Sequence, residues 1–501
     1  MRLLTIGIDG GDERIIRAMP MPFMHNLIRE KSTPNLTGDL SSRGWAEIYT
    51  GKKAVETGAF YMSPILDGTH RLKQSFKHTS LKDIGIDSLW ETLNKKGVSV
   101  GFMNIPTTSP APKVNGFFIG GGGGGAKPSA TLPKTLADSS ASLNVLEKNE
   151  FISDIRQIGK VDMTGEELLD KLDLATKRLA QSFVDLVSAK EPDYGFLCFR
   201  VTTVVQYLAM SEIEAVIASL ETAQLQNLDT QVIDLPLSPF QKRIVEHYAL
   251  LDSLIQMVFE KVNPQSYLFC ADHGSSNYKF NINVDKFLER EGFLVEPNAK
   301  ASRSRALKKK ALAVMQKRTP WLIESLKGNQ SLLKKMNTEI KGPSFLSSQT
   351  KAFGSTYVAG IFVNDQHRFG GPVEDAEIDN LVDEICERLN ATEDAKNNNL
   401  KAVPNRRNHK GIDLYDKLPD ILVEKPDEYF FKTGLEQFIN TNTNYSPVPE
   451  NLAGLPDMNS GQKSRLPLFL ASSDVSGLIQ ESDKLDLTLV HHLAVRFFEN
   501  T

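Results

Sequence analysis

The stretch Tyr267-Leu268-Phe269-Cys270-Ala271-Asp272-His273-Gly274 runs from apolar residues straight into Asp-His-Gly. A helical pattern over 240–261, with its apolar residues on one face, precedes it. Helix followed by a short apolar run is the pattern of a buried strand in a parallel α/β sheet. In such sheets ligands gather outside the carboxyl ends of the strands. A carboxylate and an imidazole presented there are two metal ligands at one spot. Taken alone, the same residues also fit a strand and a polar turn, with Asp272 as a cap and His273 on the surface. A second strand of the same kind tips the balance toward metal. Leu3-Leu4-Thr5-Ile6-Gly7-Ile8 leads into Asp9-Gly10-Gly11 at the other end of the chain.

Helix and strand patterns alternate along the rest of the sequence. Helical periodicity is read at 13–30, 88–96, 165–189, 376–389 and 487–498, and apolar strands at 98–104, 193–201, 356–364, 419–423 and 466–471. The alternation predicts a doubly wound, mainly parallel α/β sheet sandwiched by helices. The six glycines at 120–125 lack the helix start that a dinucleotide-binding loop needs, and they read as a flexible loop. A division follows: core α/β with the Ser41 segment at 1–124, a helical cap insertion at 125–190, core α/β with the Asp-His-Gly strand at 191–298, a basic helical insertion at 299–345, and completion of the core at 346–501. The basic insertion includes Arg303, Arg305, Lys308, Lys309, Lys310, Lys317 and Arg318. It reads as a solvated helical face, or as a patch that attracts an anion or a membrane surface.

Hydrophobic content of 40% and charged content of 24% over 501 residues place the chain among ordinary globular proteins. A formal net charge of −4 argues against nucleic acid as a stable partner. The three scattered cysteines, Cys198, Cys270 and Cys386, make no disulfide framework and point to a reducing compartment. The first residues lack the apolar core of a signal peptide, and no apolar run reads as long enough to span a bilayer. A cytoplasmic location is the expectation. Oligomeric state is left open.

Ser41-Ser42-Arg43-Gly44-Trp45-Ala46-Glu47-Ile48-Tyr49-Thr50-Gly51 runs from a loop into a helix. A hydroxyl at a helix amino terminus stands where free N–H groups and the dipole favour an anion. Beside a divalent cation that hydroxyl loses its proton more easily and becomes a nucleophile. A plain N-cap explains Ser41 equally well without context. Arg43 either clamps a phosphate bidentately or is surface charge.

In these segments the chain resembles the alkaline phosphatase superfamily, and within it the type I phosphodiesterase and nucleotide pyrophosphatase family. Ile6-Gly7-Ile8-Asp9-Gly10 is similar to the opening metal-ligand strand. Ser41 stands ten residues before Gly51, where the family places its nucleophile ahead of Thr-Gly. Trp45-Ala46 and Ala271-Asp272-His273-Gly274 match two more motifs, and Gly360-Ile361-Phe362-Val363-Asn364 and Pro419-Asp420-Ile421 two later ones. The resemblance implies an alkaline phosphatase-type sandwich, one metal ion held by Asp9, Ser41, Asp272 and His273, and a phosphorylated small molecule as partner. Zinc is the first choice of ion. Arg368 takes a position where the family often carries a structural Arg.

The pattern breaks at the family's second ion. Its ligands are an Asp and a His spaced four apart, plus a late His. Here Thr203 and Tyr207 take the first two positions and Lys463 the third, or Gln462 if the register slips by one. Thr57 also replaces a frequent His. Hydroxyls and an ammonium hold Zn²⁺ poorly. The expected function is a metal-dependent phosphoesterase that works through a Ser41 phospho-intermediate, with Lys463 standing in for the second cation. The alternatives are a catalytically degenerate protein that binds a phosphate or sulfate ligand or acts as a scaffold, and a phosphoryl or sulfuryl transferase using the same serine.

Overall fold

The structure is a computed structural model that describes residues 1–66, 70–74, 76–122, 129–131, 162–225, 235–297, 345–455 and 458–500. The basic insertion at 299–345 therefore lies outside the described residues except for Phe345. Two units partition the chain. Unit 1 comprises Met1–Ala59, Phe76–Lys279 and Asn442–Thr501, and unit 2 comprises Phe60–Ser75 and Phe280–Thr441.

Unit 1 is built on a seven-stranded sheet. Its strands are β1 (Leu3–Ile8), β2 (Val100–Met103), β3 (Gly116–Gly120), β4 (Ser129–Thr131), β5 (Tyr194–Phe199), β6 (Ser266–Cys270) and β9 (Phe469–Ala471). A separate two-stranded ribbon pairs β7 (Gly274–Asn277) with β8 (Gly461–Ser464). The sheet order is β9-β6-β1-β5-β2-β3-β4. The five inner strands are parallel and the two outer ones antiparallel. Parallel strands covered on both faces need apolar side chains on both. Strand β1 meets this, with Leu3 in one core and Leu4, Ile6 and Ile8 in the other.

Helices α1 (Glu13–Ala18), α2 (Pro22–Arg29), α5 (Gly165–Lys190), α6 (Val201–Leu225) and α7 (Pro239–Val262) cover one face, and α3 (Gly44–Thr50), α4 (Leu89–Lys95) and α8 (Thr488–Glu499) the other. This is the doubly wound sandwich expected from the sequence. The helix starts are encoded locally: Thr164 with Glu167, Ser238 with Gln241 and Ser88 with Glu91 form capping boxes. Helix α5, within the segment expected as a cap, packs Leu168, Leu172, Leu179 and Phe183 into the sheet's core.

Two readings are corrected. The single pattern at 13–30 is two helices, because Pro20 and Pro22 interrupt it and Pro22 opens α2. One run is also long and apolar enough to cross a membrane by composition, Val201–Thr222 in α6, with mean hydropathy 1.3. It was missed because its apolar residues are interleaved with Thr, Gln and Ser. Of that stretch 72% is buried inside the protein, as for a core helix.

Unit 2 holds an antiparallel sheet in the order 352–354, 360–363, 421–424 and 401–404, with helix Ile378–Ala391 against it. Arg368 is buried there and donates to Asp365 at 2.5 Å and Asp420 at 2.6 Å, so its role in that unit is structural.

Candidate metal centre and active site

Three neighbouring strands end in one row. Strand β1 pairs with β6 at Gly7 and Cys270 and with β5 at Ile8 and Phe199. Two residues past Gly7 and Cys270, Asp9 and Asp272 stand side by side. One residue past Ile8 and Phe199, Arg200 stands on the other flank of Asp9. The Asp9 N–H donates to Phe199 O at 2.8 Å, which carries the pairing to the strand end.

Asp9, Asp272 and His273 are buried, and one donor atom from each lies within 4.8 Å of the other two. His273 Nε2 is 3.4 Å from Asp272 Oδ2 and 3.7 Å from Asp9 Oδ1. These separations are long for hydrogen bonds. They suit donors that share an ion, since two donors on a tetrahedral zinc stand about 3.4 Å apart. His273 Nδ1 lies 2.7 Å from Gly274 O. A carbonyl only accepts, so Nδ1 carries the hydrogen and Nε2 presents its lone pair inward. That is the tautomer a metal-binding histidine needs, fixed by a backbone acceptor. Burial, with Lys463 adding to it, pushes the His273 imidazole down to about 3, so it is neutral at pH 7. Burial and then the charge of Asp9 push the Asp272 carboxyl up to about 7. Two carboxylates crowded in a low-dielectric site are the environment a divalent cation relieves. The donor set therefore fits one such ion.

The remaining oxygens are held. Trp45 Nε1 donates to Asp9 Oδ2 at 3.1 Å, and Gly10 N to Asp272 Oδ1 at 3.3 Å. The Trp45-Ala46 motif thus reaches the centre through the indole. Helix α3 starts directly on the strand end: a Cβ added to Gly44 would stand 2.4 Å from Asp272 O.

Ser41 is half-buried and precedes α3, whose N-cap is Arg43. The capping alternative fails, because the Ser41 hydroxyl donates to Asp39 Oδ1 at 2.6 Å, and the Ser41 N–H to the same oxygen at 2.9 Å. Neighbouring Gly38 and Gly44 both lie against Asp272, while the hydroxyl itself faces Asp39. Arg43 is buried rather than on the surface, and its charge acts on the Tyr49 hydroxyl.

The three residues expected at the family's second-ion positions lie around the same centre. Thr203 and Tyr207 are one turn apart on α6 and share a face. A Cβ on Gly10 would meet Thr203 Oγ1 at 2.6 Å, and the Tyr207 ring lies parallel to His273 with centroids 6.2 Å apart. Lys463 opposes Ser275 across the β7–β8 ribbon, and its Nζ is 3.7 Å from Asp272 Oδ2. Gln462 instead donates to Asn277 O, so of the two it is Lys463 that stands beside the carboxylates.

Two residues beside these groups escaped the sequence reading. Arg200 Nε is 3.7 Å from Asp9 Oδ2. Its place, one residue past the strand pairing that sets Asp9, shows only once the sheet register is known. Asp39 escaped because its contact with Ser41 depends on the turn between them.

Fold and site together define a doubly wound α/β protein with a candidate metal centre at the carboxyl ends of its parallel strands. Residues 3–444 match the model of the type I phosphodiesterase / nucleotide pyrophosphatase family, and the chain belongs to that family. Solved structures resemble it distantly. Murine ectonucleotide pyrophosphatase / phosphodiesterase 5 is 12% identical, with 100% of this chain and 95% of that one covered at a TM-score of 0.44. Phosphonoacetate hydrolase from Sinorhizobium meliloti 1021 is 10% identical, with 99% and 96% covered at 0.49. The alkaline phosphatase PafA is 11% identical, with 94% and 91% covered at 0.46. A search of curated proteins finds no match. The fold rests on the sheet and the family match, not on these distant likenesses.

Proposed function

We propose that the protein is a metal-dependent phosphoesterase that forms a phosphoserine at Ser41. The observation that carries this reading is the convergence of Asp9 Oδ1, Asp272 Oδ2 and His273 Nε2 where the Ser41 segment packs on Asp272. Asp9, Asp272, His273 and the Ser41 hydroxyl would hold a divalent ion, which would supply Lewis acidity to phosphoryl oxygens and acidify that hydroxyl. Zinc is the ion proposed, since an imidazole and two carboxylates are among its usual donors.

The chain's own residues carry the rest. Asp39 Oδ1, 2.6 Å from Ser41 Oγ, takes the hydroxyl proton as Oγ attacks phosphorus. The Oγ–P bond forms, and the bond to the leaving oxygen breaks with its electron pair on that oxygen. Water then cleaves the phosphoserine, and the proton on Asp39 returns to Oγ. Lys463 and the buried Arg43 offset the charge of the phosphoryl group, the kind of electrostatic support on which phosphoryl transfer depends. Trp45 keeps Asp9 oriented.

Turnover of aryl phosphate esters with Zn²⁺, Mn²⁺ or Mg²⁺ tests the reading. Ser41→Ala is expected to lower the rate at least about a thousandfold. An unchanged rate removes Ser41 from the mechanism. A binding-only protein is the second reading, drawn from Thr203 and Tyr207 at the second-ion positions. It predicts bound phosphate with no turnover of any ester.

A further inference from the structure

Two buried polar atoms beside the centre have no partner among the described residues. Arg200 Nη1 donates to Gly122 O at 2.9 Å, but Arg200 Nε donates to nothing although it lies 3.7 Å from Asp9 Oδ2. Thr203 Oγ1 is likewise unpartnered, next to Gly10 and on the side of His273 Cε1. Leaving a buried donor unsatisfied costs about 1–3 kcal/mol, and more on a charged group. The three metal donors do not use either atom. Arg200 Nε can only donate and Thr203 Oγ1 can donate or accept, so an acceptor oxygen would satisfy both.

Charge points the same way. Among the described residues Arg200 lies at Asp9 and Lys463 at Asp272, each at 3.7 Å. Arg200 and Lys463 thus set two fixed positive charges beside the donor trio, and a divalent ion there would add to them. A phosphate monoester carries about −1.5 to −2 at neutral pH. A phosphodiester and a sulfate monoester each carry a single negative charge.

We infer that Arg200, Thr203 and Lys463 form an oxyanion subsite where the family places a second ion, and that the substrate class is the dianionic phosphate monoester. The inference rests on the phosphoesterase reading and departs from the family's diester chemistry. Arg200 donates through Nε and Thr203 through Oγ1, and Lys463 adds its charge from the β8 side.

The test is calorimetric titration of the zinc-loaded protein with inorganic phosphate, alongside turnover of an aryl phosphate, the corresponding bis-aryl phosphate and the aryl sulfate. Phosphate affinity is expected to fall about tenfold to a hundredfold in both Arg200→Gln and Lys463→Gln. The monoester should give the largest kcat/KM of the three. Affinity unchanged in both variants, or a preference for the diester or the sulfate, overturns the inference. Should Arg200→Gln fail to fold, Arg200→Lys keeps the charge while losing Nε–H, and Lys463→Gln stands independently. The two readings fail separately. Loss of turnover in Ser41→Ala with phosphate binding indifferent to Arg200 and Lys463 sinks the subsite alone. Turnover that survives Ser41→Ala, with phosphate binding weakened in the other two variants, sinks the nucleophile alone.

Discussion

Asp272 lies buried against a second carboxylate, and the cost of that placement depends on pH. Its carboxyl, ordinarily near 3.8, is pushed up to about 7 by burial and by Asp9, against the pull of Lys463. Between those values the folded protein holds a proton that the unfolded chain has released. Metal-free stability from this group is therefore present at low pH and is lost as pH rises through about 7. In a chelator, Asp272→Asn should gain stability relative to wild type between about pH 5 and pH 8, read as denaturant midpoints. Midpoints that move in parallel for the two proteins would show that burial and Asp9 do not hold the Asp272 carboxyl above its ordinary range. Legibility at this scale was uneven. Asp9, Asp272 and His273 could be read because each follows an apolar run that only a strand explains. Arg200 could not, since an arginine after Phe199 looks like any strand end until the pairing of Ile8 with Phe199 sets it beside Asp9. Asp39 depends on turn dihedrals that the sequence does not state.

Lys463 reaches the centre because α6 is broken. Ala209 leaves helical geometry, with φ −127 and ψ 32. The freed Tyr207 carbonyl accepts from Asn459 N at 3.0 Å and Ser460 N at 3.2 Å, and the Leu208 carbonyl accepts from Ser460 Oγ at 3.0 Å. These bonds dock the start of β8 on the kink. Gly461 makes the approach possible, since a Cβ there would stand 2.0 Å from Gln206 O. Gly461→Ala should destabilise the protein by about 1–3 kcal/mol and weaken phosphate binding as Lys463 shifts. Full stability and binding in that variant would remove the kink from the account. On the opposite face, α8 packs His491 onto Gly51 of the Thr-Gly turn, with Nδ1 3.3 Å from Tyr49 O. Burial first, and His492 beside it, push His491 down to about 4 from 6.5. The unfolded chain takes up a proton there as pH falls below about 6.5 and the folded one does not, so stability drops toward acid. His491→Gln should reduce the fall in melting temperature between about pH 7 and pH 5; an unaltered acid limb would show that this histidine protonates freely in the fold. Sequence periodicity found α8 but did not show the kink in α6, because the interruption at Ala209 is filled by residues about 250 positions away, a contact no local pattern records.

Unit 1 carries every residue of the proposed centre, gathered from positions 9 to 463 of the chain. An ion that binds only this folded arrangement stabilises the whole unit by mass action, by about 2.7 kcal/mol at a hundredfold excess over its dissociation constant. Saturating Zn²⁺ should therefore raise the melting temperature of the chelated protein by a few degrees, and Asp272→Asn should lose that rise. The doubly wound sheet was legible from alternating helix and strand patterns, which survive any substitution that keeps them apolar. The half of the centre that departs from the family was legible only as missing ligands; that Arg200 and Lys463 flank the two carboxylates needed the sheet register and the β7–β8 ribbon. The most direct test of the account is calorimetric titration of a divalent ion into the chelated full-length chain. The account predicts one equivalent bound in the wild type and none in Asp272→Asn. Two equivalents, or one bound as tightly by Asp272→Asn as by the wild type, would contradict it.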